Sequence, residues 1–275
     1  MTRDITVALV QMIPTIGETE TNLRRMNDFV DRICQEQPVD LIVFPELVTT
    51  GYECGPRFTE LAEFVPGHSV NMLSKRAKDY NVHIAFGMVL KERVESILYN
   101  AAVLIGPEGE YIGSYRKVHL KGEEKLAFRN GYRFQVWDVE FREGPGRIGL
   151  LVGWDLAFPE AVRSLVLDGA EVVAVCANWE VDEDPQWRAY NVARACENGV
   201  YIAAANRAGD EPSYAFCGDS MLVGPNAELY TNLEEPVEGY AIATIDLDDV
   251  RRAREASQIL QCRQPATYRN VVKKY

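Results

Sequence analysis

A layered α/β fold is predicted by two observations on the 275-residue chain. In the first half, β-rich runs at residues 5–11, 41–44, 83–90 and 101–105 alternate with helical stretches at 19–35 and 69–80. The second half runs in βαβαβ order: strands at 148–152, 171–176 and 200–204 enclose helices at 159–168 and 187–198, and further strands and a final helix near 248–256 follow. Every apolar run is interrupted by Asp, Glu, Lys or Gly well short of the roughly 18 residues that cross a bilayer, so no membrane partner is expected.

The elements follow from local chemistry. In the first helix Leu23, Met26, Val30 and Ile33 recur at spacings of three and four, which makes one apolar stripe for packing on a sheet, and Pro38 ends it. Pro107-Glu108-Gly109 and Pro225-Asn226-Ala227 each separate two β-rich runs and read as hairpin turns, so antiparallel pairs accompany the α/β units. Phe-Pro-Glu follows an apolar strand twice, at 44–46 and 158–160, which hints at internal symmetry. The acidic stretch 180–184 reads as a solvated loop between strand and helix. No low-complexity linker interrupts the chain, and residues 1–275 are expected to form one domain.

Composition excludes several classes of function. With 47% hydrophobic and 25% charged residues the chain can bury a large core. Its formal charge of −12 would repel a phosphate backbone, so nucleic acid is not an expected partner. The first residues carry no basic segment, apolar core or cleavage site of an export signal, and the expected location is cytoplasmic. Six cysteines show no CxxC pairing and imply neither a zinc site nor a disulfide framework.

Glu46 follows the strand LIVF and a proline, at the kind of strand end from which open sheets present functional groups, although most such carboxylates are merely solvated. Lys117 lies in SYRKVHL, with Glu124 seven residues on. A lysine that steadies developing negative charge needs a nearby carboxylate or a dry pocket, and the alternative is a basic loop with solvent ion pairs. His119 lacks a serine or cysteine motif beside it and reads as a hydrogen-bonded structural histidine. Gly153 ends the apolar strand RIGLLV just before a helix, the type of turn at which hydrolases expose a nucleophile. From the residues alone it is a glycine where the backbone needs room.

Taken together the segments resemble the nitrilase superfamily, almost end to end. FPELVTTGY (44–52) is similar to that family's glutamate block. YRKVHL with the spaced Glu124, Phe128 and Gly131 is similar to its lysine block, and WDLAFPE (154–160) to its nucleophile block. ANW (177–179), ARACENG (193–199), AANRAG (204–209), FCGDSMLVGP (216–225) and RQPATY (263–268) resemble later blocks. The resemblance implies a four-layer α-β-β-α sandwich and a Glu-Lys-Cys triad, with Glu46 as base, Lys117 as electrostatic stabiliser, Glu124 as a second carboxylate and the nucleophile at 153, which here is glycine. It implies a carbon-nitrogen hydrolase, an amidase or N-carbamoyl amine or amino acid amidohydrolase, acting on a small amide through a cysteine acyl-enzyme. It further implies no metal or organic cofactor, and a homodimer or higher homo-oligomer to which the tail from about residue 257 contributes.

Two readings of Gly153 stand side by side: a working hydrolase whose nucleophile is absent from this chain, and a natural pseudoenzyme that binds a small ligand or a protein partner. A third reading pairs Glu46 with Glu124 as in glycosidases, and Lys117 and the resemblance count against it. Cys176, on the next strand, is the other thiol to weigh near the pocket. Tyr52, Trp154 and Trp179 are expected to line an aromatic wall for the substrate. The acidic stretch could attract an amine-bearing substrate such as a carbamoyl polyamine, although a charge run is usually a solvated face.

Overall fold

The computed structural model describes residues 2–93 and 97–273. Its first half contains strands β1 (Asp4–Gln11), β2 (Leu41–Val43), β3 (His83–Lys91), β4 (Leu98–Ile105) and β5 (Tyr111–Arg116), with helices α1 (Thr19–Glu36), α2 (Phe58–Leu61), α3 (His68–Tyr80) and α4 (Glu124–Ala127). The second half contains β6 (Val136–Phe141), β7 (Gly144–Val152), β8 (Val172–Ala177), β9 (Tyr201–Asn206), β10 (Ala208–Asp210), β11 (Ala215–Cys217), β12 (Ser220–Val223), β13 (Leu229–Leu233) and β14 (Gly239–Asp246), with α5 (Pro159–Leu167), α6 (Asp184–Asn198) and α7 (Asp248–Ser257).

Twelve of these strands form two six-stranded sheets, ordered β14-β1-β2-β3-β4-β5 and β6-β7-β8-β9-β12-β13. In each, three central strands run parallel and the outer pairs run antiparallel. The period-two alternation of β-structure sorts the first sheet's side chains. Val7, Leu9, Leu41 and Val43 face the second sheet, whereas Ala8, Val10, Ile42 and Phe44 pack on the apolar stripes of α1 and α3. On β7, a Cβ at Gly149 would touch Leu165 of α5, so Gly149 looks outward and its neighbour Leu150 looks at the first sheet. Helices thus cover both outer faces, and the layers run α-β-β-α.

Strand for strand, β14-β1-β2-β3-β4-β5 corresponds to β6-β7-β8-β9-β12-β13. The two Phe-Pro-Glu segments are not equivalent within this symmetry. The first follows β2, while the second follows the turn after β7, whose counterpart is β1. The counterpart of Glu46 is instead the end of β8. Both expected hairpins are present, as β4–β5 and β12–β13. Several boundaries differ from the sequence reading, the largest at β7, which starts at Gly144 rather than 148 because its ladder to β6 continues to the Phe141–Gly144 pair. Strand β4 starts at Leu98 rather than 101, because its ladder to β3 continues to the Lys91–Leu98 pair. Helix α6 starts at Asp184 rather than 187, since Pro185 falls in the first turn, where a missing N–H is not needed.

Leu150→Ala would open a cavity between the sheets, because Leu150 is fully buried. A loss of about 2–5 kcal/mol is expected, read as a lower urea midpoint at unchanged slope.

Candidate active site

The site lies where the parallel strands of both sheets end. After β2, Phe44 and Pro45 carry the chain to Glu46, whose N–H donates to the carbonyl of Ala177 at the end of β8 (3.3 Å). The approach is possible because residue 87 is glycine: a Cβ there would lie 2.5 Å from the Cα of Glu46. Lys117 follows β5 and is fixed through its main chain, its N–H donating to the Asn100 carbonyl (2.8 Å) and its own carbonyl accepting from Gly131 (2.7 Å). Glu124 opens the short helix α4.

The three side chains meet in a dry environment, with exposures of 1% for Glu46, 2% for Lys117 and 5% for Glu124. Nζ of Lys117 donates to Oε1 of Glu46 (2.8 Å) and to Oε1 of Glu124 (2.6 Å). Asn100 Nδ2 donates to the same Glu46 oxygen (2.6 Å), and the Asn178 N–H donates to the other (3.1 Å). The Lys121 N–H donates to Oε2 of Glu124 (3.0 Å). Burial drives the Glu46 carboxyl up from 4.5 to about 7, with the Lys117 charge opposing and the Glu124 charge adding. Burial also acts against the Lys117 ammonium, but the two carboxylates outweigh it and hold the group above its ordinary value.

Gly153 directly follows β7 at φ +44°, in the left-handed region that favours glycine. A Cβ built on it would contact Oε2 of Glu46 and lie 3.4 Å from Nζ of Lys117. The turn is clamped by Asp155, fully buried, which accepts from Tyr115 OH (2.8 Å), the His119 N–H (2.9 Å) and the Val152 N–H (3.3 Å). His119 Nδ1 also lies 2.8 Å from Asp155, and the ring stacks on Phe158 at 3.7 Å. His119 is therefore a structural tie between the lysine strand and the Gly153 turn.

All three expected aromatic residues line the pocket above the cluster. Tyr52 packs edge-on to Tyr214 (5.1 Å) and Trp154 edge-on to Phe158 (5.2 Å). Trp179 is buried, and its Nε1 donates to the Glu183 carbonyl (2.9 Å). The inner pocket holds about 20 Å³, room for roughly one water. Tyr52 and Glu124 are shared with a largely apolar outer cleft of about 440 Å³.

The acidic stretch is not a merely solvated face. Glu180 and Glu183 line the inner pocket and hold Lys121 Nζ at 3.2 and 2.7 Å, because the turn at Val181–Glu183 folds back over the loop after Lys117. Cys176 is fully buried in the core of β8, and its burial, with the Glu46 charge adding, pushes the thiol well above its ordinary value. It does not line the pocket. No group of three or more His, Cys, Asp and Glu side chains among the described residues is arranged to hold a metal ion.

The sequence alone assigns no role in the site to Asn100, Asn178 or Lys121, and it gives Asp155 only as part of the WDLAFPE block. Asn100 carries a signal, as a lone amide inside the apolar run of β4, and Asn178 carries one in the ANW motif.

A buried Glu-Lys-Glu cluster at the strand ends of a four-layer sandwich defines a class, and comparison with known proteins gives the same class. The chain belongs to the carbon-nitrogen hydrolase family, whose model matches residues 6–255. It is similar to a nitrilase of Pyrococcus abyssi, with 37% identity over 254 residues, covering 91% of this chain and 93% of that one. It is also similar to 2-oxoglutaramate amidase of Bacillus subtilis, with 30% identity over 253 residues, covering 91% and 94%. The crystal structure of a carbon-nitrogen hydrolase from Helicobacter pylori superposes with a TM-score of 0.89 at 25% identity, covering 99% of each chain.

The Glu46 carboxyl ionises near 4.5 when unfolded and near 7 when folded, so between these values the folded protein binds the extra proton. Its stabilising contribution is complete below 4.5 and is lost as pH rises through about 7. Lys117, charged throughout that window, adds no slope. The urea midpoint should fall between pH 5 and 8 more steeply for the unaltered chain than for Glu46→Gln, and equal slopes would place the proton elsewhere.

Proposed function

We propose that this chain carries the active site of a hydrolase for small non-peptide amides, complete except for the nucleophile at position 153. One observation carries the reading: the Cβ direction of Gly153 points between the Glu46 carboxylate and the Lys117 ammonium. A thiol placed there would have a base and a cation within reach, the arrangement that nucleophilic catalysis needs.

The chemistry follows from the positions. Glu46 takes the thiol proton, the thiolate attacks the amide carbon, and Lys117 stabilises the oxyanion as it forms. Glu46 then returns the proton to the leaving nitrogen, the C–N bond breaks, and ammonia or an amine departs. Water, deprotonated by Glu46, hydrolyses the thioester. Glu124, 2.6 Å from Nζ, keeps Lys117 charged and aimed. A glycine closes this covalent route, and in the serine-protease precedent losing the nucleophile alone costs on the order of 10⁶-fold in turnover.

A second reading, a binding protein that keeps the pocket without turnover, is favoured by the backbone. Gly153 is relaxed at φ +44°, and Glu46 occupies the space that a side chain would need. The desolvation of three charged groups favours the first reading, since packing alone has no use for them.

Gly153→Cys should release ammonia from ω-amides, aliphatic amides or N-carbamoyl amines, with turnover at least 10⁴-fold above the unaltered chain. It should also cost about 1–2 kcal/mol of stability from the left-handed backbone, read as a lower melting temperature. A folded Gly153→Cys protein that hydrolyses none of these compounds would sink the proposal in favour of the binding protein. Rapid turnover by the glycine form would show that position 153 is not the nucleophile's.

A further inference from the structure

Asn178 presents a side chain that the chemistry above does not use. It directly follows β8 and lines the inner pocket together with Glu46, Lys117 and Trp154. Both its Oδ1 and its Nδ2 are shielded from solvent, and neither has a hydrogen-bond partner among the described residues. A buried amide with both ends unpaired is costly, and native structures keep such groups where something else completes them.

The main chain around Asn178 is fixed on both sides. Its own N–H donates to Oε2 of Glu46 (3.1 Å), and the carbonyl of Ala177 accepts from the N–H groups of Glu46 (3.3 Å) and Arg207 (3.2 Å). On the other side, the Trp179 N–H donates to Oδ1 of Asn206 (2.7 Å), whose Nδ2 donates to the Trp179 carbonyl (3.4 Å). The side chain is therefore presented from a rigid strand end whose own N–H bonds the group that holds the proton in the proposed reaction.

We propose that Asn178 recognises the carboxamide of the substrate, Oδ1 accepting an N–H and Nδ2 donating to a carbonyl oxygen, and so selects primary amides and carbamoyl compounds over nitriles. The inference rests on the proposed function for the position of the reacting group. An amide offers a donor and an acceptor and completes both atoms of Asn178. A nitrile nitrogen only accepts, so its binding leaves Oδ1 buried and unpaired. Sites built to bond a substrate N–H can reject the analogue that lacks it by about 10⁴-fold.

Binding to the chain as it stands tests this without the nucleophile. Butyramide and butyronitrile, and benzamide and benzonitrile, would be compared by ligand-observed NMR on the unaltered protein and on Asn178→Ala and Asn178→Ser, each first shown folded by circular dichroism. The amide should bind at least tenfold more tightly than its matched nitrile to the unaltered chain, and the preference should collapse to within about threefold in either variant. Equal binding of amide and nitrile to the unaltered chain, no amide binding at all, or an unchanged preference in both variants would overturn the proposal. In the Gly153→Cys background, adding Asn178→Ala should raise KM for the amide at least tenfold while changing kcat less. If Gly153→Cys turns nothing over while the unaltered chain still prefers amides, the proposed function fails and the role of Asn178 stands.

Discussion

Three charged groups share one dry pocket, and the rest of the structure is arranged around that constraint. Two carboxylates and one ammonium in a low-dielectric interior are strongly destabilising unless each finds a partner. The partners come from elements far apart in the chain: Asn100 from β4, Lys117 from the end of β5, and the N–H of Asn178 from the end of β8. A cluster that needs ligands from both sheets requires the strand ends to meet within about 3 Å, and Gly87 supplies the clearance that lets the Glu46 loop do so. Burial is the reason Glu46 keeps a proton toward neutral pH, with the Lys117 charge opposing and the Glu124 charge adding.

The internal symmetry of the sheets gives the site its asymmetry. The ends of β2 and β8 occupy corresponding places and abut, with Glu46 and Ala177 joined through their main chains. One end carries a carboxylate and the other an amide. The same strand-end geometry thus delivers a group able to hold a proton and a group able only to donate and accept hydrogen bonds, facing a common pocket. The short Phe-Pro-Glu likeness lies elsewhere, so the symmetry belongs to the backbone order and not to that motif.

Much of this was legible in the chain. Alternation and stripe periodicity locate strands and helices because burial on one face imposes them directly, and Glu46, Lys117, Glu124 and Gly153 were placed by motif resemblance. What escaped depends on contacts between distant segments. Nothing near Asn100 announces that its amide will meet Glu46, 54 residues earlier. The acidic turn at 180–183 reads as solvated because its partner, Lys121, lies on another loop. Helix α6 begins early because proline, commonly a terminator, is tolerated at a helix start. Long-range electrostatics and helix entry are the features that local pattern leaves undetermined.

Gly153 brings strain and chemistry into opposition. At φ +44° a glycine sits without cost, whereas any other residue is strained, and strain of this kind is tolerated where function requires a side chain at a sharp turn. Asp155 ties the turn to Tyr115, Val152 and His119, and His119 stacks on Phe158, so the turn cannot relax by swinging away from Lys117. A loop that only needed to reverse direction would not need a buried carboxylate with this many donors. Under the proposed function this clamp would hold a strained residue against the Glu46–Lys117 pair, and with glycine in place Asp155 still ties the turn to Tyr115, His119 and Val152.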